Sequence, residues 1–407
     1  MRVAVVVQRY GAEVNGGAEL HARTIAELLH DEVDVTVLTT CALDYRTWAD
    51  HYPAGQTRVG PVRVLRFPVD APRDEARFDA LSLRVLGGAE RGPEAEERWM
   101  VEQGPRCRGI ADHLAAEPGR YDVVVVFTYL YAHALAALEA SPAPCILVPE
   151  LHDDPPLHLG IYDRVFALPR LLLPNTPEER ELMERRFGLA RSASRVVGLG
   201  VDPPAPGTDG ERFRRAHGIT RPYALCLGRI DPSKGSGELV AHHARYRALE
   251  PRGLDLVMLG RSVMDLPSHP WLHAPGYVDD ATKWDALDGA ACLVAPSRYE
   301  SLSIAMLEAW SSGVPTVANG DTPVLVGQTR RTGGGLWYRD AEEYACCVAL
   351  LGGRPPLAAA LGAQGRRYVR SRLSWERVRA LWTAALRDVS AGGGQGADGV
   401  AKARADC

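Results

Sequence analysis

Residues 2–40 read RVAVVVQRYGAEVNGGAELHARTIAELLHDEVDVTVLTT. A β-branched run at 2–7 is followed by a glycine-bearing loop, a helical pattern through GAELHARTIAELL and a second apolar run, VDVTVLTT, at 33–40. That succession is a βαβ unit. Strands that are apolar on consecutive residues need cover on both faces, which predicts a parallel, doubly wound sheet and an α/β fold. The alternation continues through VRVLRF, YDVVVVF, PCILVPE, RLLLPN and RVVGLGVD, up to a Pro- and Gly-rich segment, PPAPGTDG, at 203–210. A second series then begins with PYALCLGR (222–229), LDLVMLG (254–260), CLVAPS (292–297) and PTVANG (315–320). The pattern predicts an N-terminal Rossmann-like domain over 1–205, a second over 206–373, a final amphipathic helix over 374–391 and a tail without fixed structure over 392–407. In such sheets ligands bind outside the carboxyl ends of the strands, so the loops after them are the place to look for chemistry.

With 407 residues the chain is long enough for two or three domains. At 46% hydrophobic and 24% charged residues it is neither disordered nor fibrous, and a formal net charge of −4 excludes a polybasic chain built to wrap nucleic acid. The eight cysteines show no CxxC spacing and read as buried thiols of a reducing compartment. The longest apolar stretch, Val123 to Leu138, contains Thr128 and His133 and falls short of the ~20 residues a membrane span needs. The start, MRVAVVVQRYG, is too short for a signal peptide, and a cytoplasmic protein is expected. Of the 47 basic residues only Lys234, Lys283 and Lys402 are lysine, so a lysine in this background is a candidate for specific chemistry.

Four loops carry candidate residues. In PSRYESLSIAMLEAWSSGVPTV (296–317) a strand ends at Pro296, Glu300 lies in the loop, and Glu308 follows on a helix that Ser301 or Ser303 can cap. Two carboxylates so placed can accept hydrogen bonds from sugar hydroxyls; the plainer alternative is two solvated acids. In LGRIDPSKG (227–235) a strand delivers Arg229, and Lys234 precedes Gly235 and a helix. Two cations at a helix start suit a diphosphate, against the alternative of a basic surface turn. Gly16 and Gly17 open the first helix and allow close backbone approach, although the phrase is not GxGxxG, which disfavours a dinucleotide oxidoreductase. LVPELHDDPPLH (147–158) sets His152, Asp153 and Asp154 after a strand; the aspartates lack a neighbouring third ligand, so no metal site is predicted.

The ordered set of a strand plus GGAE, LGR-x4-KG, PSxxE-x7-E and SGVPTV resembles glycosyltransferase family 4, the retaining GT-B enzymes, over residues 1–390. Smaller phrases agree: LLPNTPEERELMERRFG, GLGVD, GYVDD and a last helix opening at Trp375. The resemblance implies two doubly wound Rossmann-like domains facing a central cleft, with the C-terminal helix crossing back to the N-terminal domain. It further implies that Arg229 and Lys234 hold the diphosphate of a nucleotide-sugar, Glu308 the ribose hydroxyls and Glu300 the donor sugar, cupped by Ser301, Leu302 and Ser303. His152 would stand beside the transferred sugar, forming with Glu300 the catalytic pair. Gly16 and Gly17 would face the donor, and Gly260 with Tyr277 and Val278 would border the base. No metal and no cofactor beyond the nucleotide-diphospho-sugar co-substrate are implied. The family's common Gly-Phe-Gly after the first glutamate is Ser301-Leu302-Ser303 here, a less permissive backbone around the sugar.

The expected function is transfer of a hexose from a UDP- or GDP-linked donor to an alcohol, with retention, in bacterial cell-surface polysaccharide or glycolipid synthesis. The alternatives are glycosylation of a small natural product, or nucleotide-sugar binding without transfer. The expected partners are the donor and a glycan, lipid-linked or small-molecule acceptor, with no nucleic acid and at most peripheral membrane contact.

Overall fold

The computed structural model describes residues 1–14 and 16–392; the rest of the tail expected at 392–407 lies outside the described residues. The chain divides into an N-terminal unit, Met1–Val197 together with the segment from Arg379 on, and a C-terminal unit, Gly198–Val378. The first boundary thus falls a few residues ahead of the Pro- and Gly-rich segment.

The N-terminal unit holds β1 (Arg2–Val6), β2 (Asp34–Thr40), β3 (Gly55–Val59), β4 (Val62–Phe67), β5 (Val123–Phe127), β6 (Cys145–Val148) and β7 (Leu171–Leu172), in the sheet order β3-β4-β2-β1-β5-β6-β7. Its helices are α1 (Gly17–Leu29), α2 (Glu75–Leu86), α3 (Pro93–Gln103), α4 (Arg108–Ala116), α5 (Ala132–Ala140), α6 (Ile161–Ala167) and α7 (Pro177–Phe187). Val3, Ala4, Val5 and Val6 of β1 are all buried, because helices cover both sheet faces. Ala4, Val6, Val124 and Val126 pack into one core with Trp99, Ile110, Leu135 and Tyr162 of the helices on their side.

The sequence pattern predicts a parallel sheet, but this one is not parallel throughout. β3 pairs antiparallel with β4 in a hairpin whose turn is Gly60-Pro61, with Val59 opposite Val62. Gly60 has φ +55°, the left-handed geometry that tight hairpin turns require. The strand escapes a search for apolar runs because GQTRV is an edge strand with almost every side chain in solvent.

The C-terminal unit is wholly parallel: β8 (Tyr223–Leu227), β9 (Asp255–Leu259), β10 (Leu272–Gly276), β11 (Ala290–Ala295), β12 (Thr316–Asn319) and β13 (Gly335–Tyr338) lie in the order β10-β9-β8-β11-β12-β13. Its helices are α8 (Gly210–Ala216), α9 (Ser236–Leu249), α10 (Asp280–Asp288), α11 (Ile304–Ser312), α12 (Pro323–Thr332), α13 (Ala341–Gly353) and α14 (Pro355–Arg372). The edge strands LHAPG and GLWY have no β-branched run to betray them. Strand order reverses between β8 and β11, so the crevice of this sheet opens at their carboxyl ends.

The last helix, α15 (Trp375–Ala391), buries Val378, Trp382, Ala385, Leu386 and Val389 along one face. Trp382 stacks on Phe127 of the N-terminal unit's β5, with centroids 6.1 Å apart and planes 11° from parallel, and Thr383 donates to Glu32 at 2.7 Å. At its start Trp375 donates to Asp202 at 2.8 Å and lies over Gly200, where any Cβ would overlap the ring. Among the described residues no single helix is long and apolar enough to cross a membrane. Truncating fully buried Trp382 to Ala is expected to cost about 3–5 kcal/mol, read as a lower urea midpoint by far-ultraviolet circular dichroism; an unchanged midpoint would mean the helix does not anchor this unit.

Candidate functional site

In the C-terminal unit the backbone beyond the strands is shaped by glycine. Gly228 after β8 and Gly260 after β9 have φ +123° and +148°, and a Cβ on Gly260 would collide with the Gly228 carbonyl. Beyond Gly228 the chain carries Arg229, makes one 3-10 turn at Pro232–Lys234 and passes through left-handed Gly235, φ +76°, into α9. A Cβ on Gly235 would stand 2.6 Å from the Pro296 carbonyl oxygen, so the glycine lets the loop after β8 close onto the loop after β11. From the other side Asn319 donates to the Pro296 carbonyl at 2.9 Å and Thr322 to that of Ser297 at 2.7 Å.

These contacts bring Lys234 Nζ within 2.9 Å of Glu300 Oε1, with side-chain exposures of 38% and 17%. Arg229 reaches the same strand end but engages Asp231 at 2.8 Å. Burial pushes the Asp231 carboxyl upward, but its bonds to Ser233 and the charges of Arg229 and Lys234 outweigh that and hold it below the usual carboxylate range. Each cation of the LGR-x4-KG phrase thus has a carboxylate partner, although both side chains keep more than a third of their surface in solvent.

Glu308 lies on α11, buried to 16% exposure, with Lys283 Nζ at 2.6 Å from its Oε1. Burial drives the Glu308 carboxyl above its ordinary range while Lys283 opposes the shift. Burial alone would lower Lys283; Glu308 and Asp280, the latter at 3.0 Å, instead hold it above the usual lysine value. Ser303 occupies the N-cap position of α11 without a side-chain capping bond, and its amide donates to Gln328 at 3.3 Å. Gly260, exposed Tyr277 and half-buried Val278 follow β9 and β10, so the candidate residues run across the sheet edge in strand order.

In the N-terminal unit Gly16 is the N-cap of α1 and Gly17 its first residue. A Cβ on Gly16 would overlap the Glu19 carboxylate, which pairs with Arg9, whereas one on Gly17 would meet nothing within 4 Å. His152 follows β6 on a loop whose preceding residue Glu150 has φ +53°, strained for a non-glycine. Several bonds hold that loop. Glu150 Oε1 lies 2.6 Å from His21 Nδ1 on α1, and Glu179 Oε1 accepts the Leu151 amide at 2.7 Å. His152 Nε2 lies 3.3 Å from Asp154 Oδ2, whose Oδ1 accepts from Tyr129 at 2.9 Å. Asp153 pairs instead with His158 at 2.8 Å, so the two aspartates turn to different partners.

Three of these residues, Lys283, Glu179 and His21, are given no role in the site by the sequence reading. Lys283 carries the signal used for Lys234, scarcity of lysine. Glu179 belongs to the capping phrase Thr176-x-x-Glu179, with Thr176 accepting the Glu179 amide at 3.1 Å. His21, one turn into α1, carries no signal that separates it from a core histidine.

Residues 221–351 match the profile of the family described as "Glycosyl transferases group 1". The chain is 26% identical to an MMP alpha-(1->4)-mannosyltransferase of Mycolicibacterium hassiacum, over 52% of each chain. It is 30% identical to a GDP-mannose-dependent alpha-(1-6)-phosphatidylinositol monomannoside mannosyltransferase of Mycobacterium tuberculosis, over 45% of this chain and 54% of that protein. The chain thus spans about half the length of the curated relatives it matches. In fold it is similar to sucrose-phosphate synthase from Thermosynechococcus elongatus, with a TM-score of 0.69 and 17% identity over 96% of this chain and 100% of that one. The two Rossmann-like units are those of the GT-B fold, and the segment that matches the group 1 glycosyltransferase profile covers the strand ends of the C-terminal unit just described.

Proposed function

We propose that the protein transfers a hexose-type sugar from a nucleotide-diphospho-sugar, UDP- or GDP-linked, to an alcohol acceptor with retention of anomeric configuration. The observation that carries this reading is the 2.9 Å contact between Lys234 and Glu300 at the switch point of the C-terminal sheet. Phosphate and sugar are covalent neighbours in such a donor, so a cation for one and a carboxylate for the other must also be neighbours. A diphosphate arriving at Arg229 and Lys234 replaces their carboxylate partners and releases Glu300 to accept sugar hydroxyls. Glu308 takes the ribose, the backbone at Ser301, Leu302 and Ser303 cups the sugar, and Gly260, Tyr277 and Val278 border the base.

As the glycosidic bond breaks, charge grows on the leaving diphosphate, and fixed cations in a preorganised site stabilise it. The departing oxygen can then deprotonate the acceptor on the same face, which gives retention without a protein nucleophile. His152, steadied by Asp154, supports the oxocarbenium-like centre, and Gly16 and Gly17 offer backbone amides from the N-terminal unit. With Arg229 and Lys234 serving the diphosphate, the reaction proceeds without a metal and in the cytoplasm, with at most peripheral contact to a membrane.

Two curated relatives are mannosyltransferases by name, one of them GDP-mannose-dependent, so GDP-mannose heads the donors to be tried. The acceptor is a growing surface polysaccharide or glycolipid, the commoner task of such enzymes.

The test is a panel of UDP- and GDP-sugars scored by thermal protection, since a ligand that prefers the native state raises apparent stability; protection by none of them overturns the proposal. Lys234→Ala is expected to weaken donor and free nucleoside diphosphate together by about 1.5–3 kcal/mol, roughly ten- to hundredfold in calorimetric Kd. An unaltered Kd would remove Lys234 from the diphosphate site. His152→Ala is expected to lower kcat strongly with little change in donor affinity. Activity is expected to survive EDTA, and proton NMR of fresh product to show an α-linked sugar from an α-linked donor; a β-linked product would mean inversion.

A further inference from the structure

Lys234 and Lys283, the two lysines within the described residues, each pair with one glutamate of the E-x7-E phrase, Lys234 with Glu300 at 2.9 Å and Lys283 with Glu308 at 2.6 Å. In a chain whose 47 basic residues include only one other lysine, Lys402, this double coincidence is a property of the site rather than of composition. Lys283 stands on the first turn of α10, just beyond the loop carrying Tyr277 and Val278, and its ammonium bridges from there to α11. An ammonium has three donors. Glu308 and Asp280 lie at 2.6 and 3.0 Å from it, the Trp284 ring centroid at 5.3 Å, and the side chain is still 24% exposed, so a ligand hydroxyl can reach it. Glu308, for its part, engages Lys283 through Oε1, which leaves Oε2 to accept.

We propose that Lys283 is a nucleotide-binding residue that reads the ribose diol together with Glu308, the carboxylate accepting from a hydroxyl and the ammonium donating to a hydroxyl oxygen. The assignment rests on the nucleotide-sugar reading above and adds to it a second, cationic half of the ribose subsite. A vicinal diol both donates and accepts, and a lysine–glutamate pair matches both functions, whereas a lone carboxylate matches one. The pair is therefore a device for telling ribose from deoxyribose.

The test compares calorimetric Kd values for GDP against 2′-deoxy-GDP, and for UDP against 2′-deoxy-UDP, in the full-length protein and in Lys283→Met. The unmodified protein is expected to prefer the ribose form by about tenfold, the size of one charge-assisted hydrogen bond. In Lys283→Met that preference is expected to shrink to about twofold, through weaker binding of the ribose form. Both affinities are taken on the same variant, so a general loss of folded protein cancels from the ratio; Lys283→Gln serves the same comparison if the methionine variant is insoluble. An undiminished ribose preference in the variants overturns the role of Lys283, as does the absence of any preference in the unmodified protein. Failure of the unmodified protein to bind any of the four nucleotides is a different result, and overturns the nucleotide-sugar reading together with this one.

Discussion

Parallel pairing of β8 with β11, Leu225 opposite Leu293, is the constraint on which the C-terminal site depends. These strands are neighbours in the sheet but separated by β9, β10 and two helices in the chain, so the loops beyond them meet only because the sheet forms. The meeting is then fixed by backbone: left-handed Gly235 lies against the Pro296 carbonyl, and Asn319 and Thr322 hold the next turn from the far side. The Lys234–Glu300 contact is a result of this arrangement and not its cause. An ion pair with one partner 38% exposed contributes at most about 1 kcal/mol, too little to set the distance between two loops. A weak pair in a firm frame is also what a site needs if ligand is to displace one member at small cost.

The N-terminal unit solves a different problem. Its loop after β6 must hold Glu150 at a positive φ, a geometry that costs on the order of 1–3 kcal/mol for a non-glycine residue. The restraint comes from Glu179, fully buried, whose two oxygens accept the amides of Leu151 at 2.7 Å and Asn175 at 2.5 Å. Burial, with the charge of Glu150 added, pushes the Glu179 carboxyl well above its ordinary range. Amide donors rather than a cation meet this carboxyl among the described residues, and it joins the start of α7 to the loop that presents His152. His21 completes the restraint by tying Glu150 to α1.

What the sequence made legible followed from periodicity and from position after a strand. The runs at 2–7 and 33–40 are β1 and β2, and the phrases at 227–235 and 296–317 lie at the carboxyl ends of β8 and β11 as doubly wound topology requires. Elements without a buried face escaped: β3 is polar and exposed, and its antiparallel pairing is set by a Gly-Pro turn rather than by apolar spacing. Capping by Ser301 or Ser303 rested on residue type alone, whereas the Ser303 amide is committed to Gln328 on a helix that no local window reaches. Lys283 lies 25 residues from Glu308 in sequence, and only the packing of α10 beside α11 makes them partners. Pairings across the fold are what a one-dimensional reading lacks.

The overlap that a side chain on Gly260 would make with the Gly228 carbonyl has an evolutionary meaning. Two codons far apart in the gene are locked together: position 260 stays closed to every side chain until the backbone at 228 retreats, and that retreat would carry Arg229 away from its strand end. Change at this part of the sheet edge therefore demands two coordinated steps, each harmful alone. The neighbouring loop is under no such lock, since Tyr277 is 71% exposed and a Cβ on Gly276 would meet nothing within 4 Å, although its φ of +90° still favours glycine. Single substitutions can be tried there without disturbing Arg229 and Lys234, so a lineage of this chain can vary the loop after β10 while the loop after β8 stays as it is.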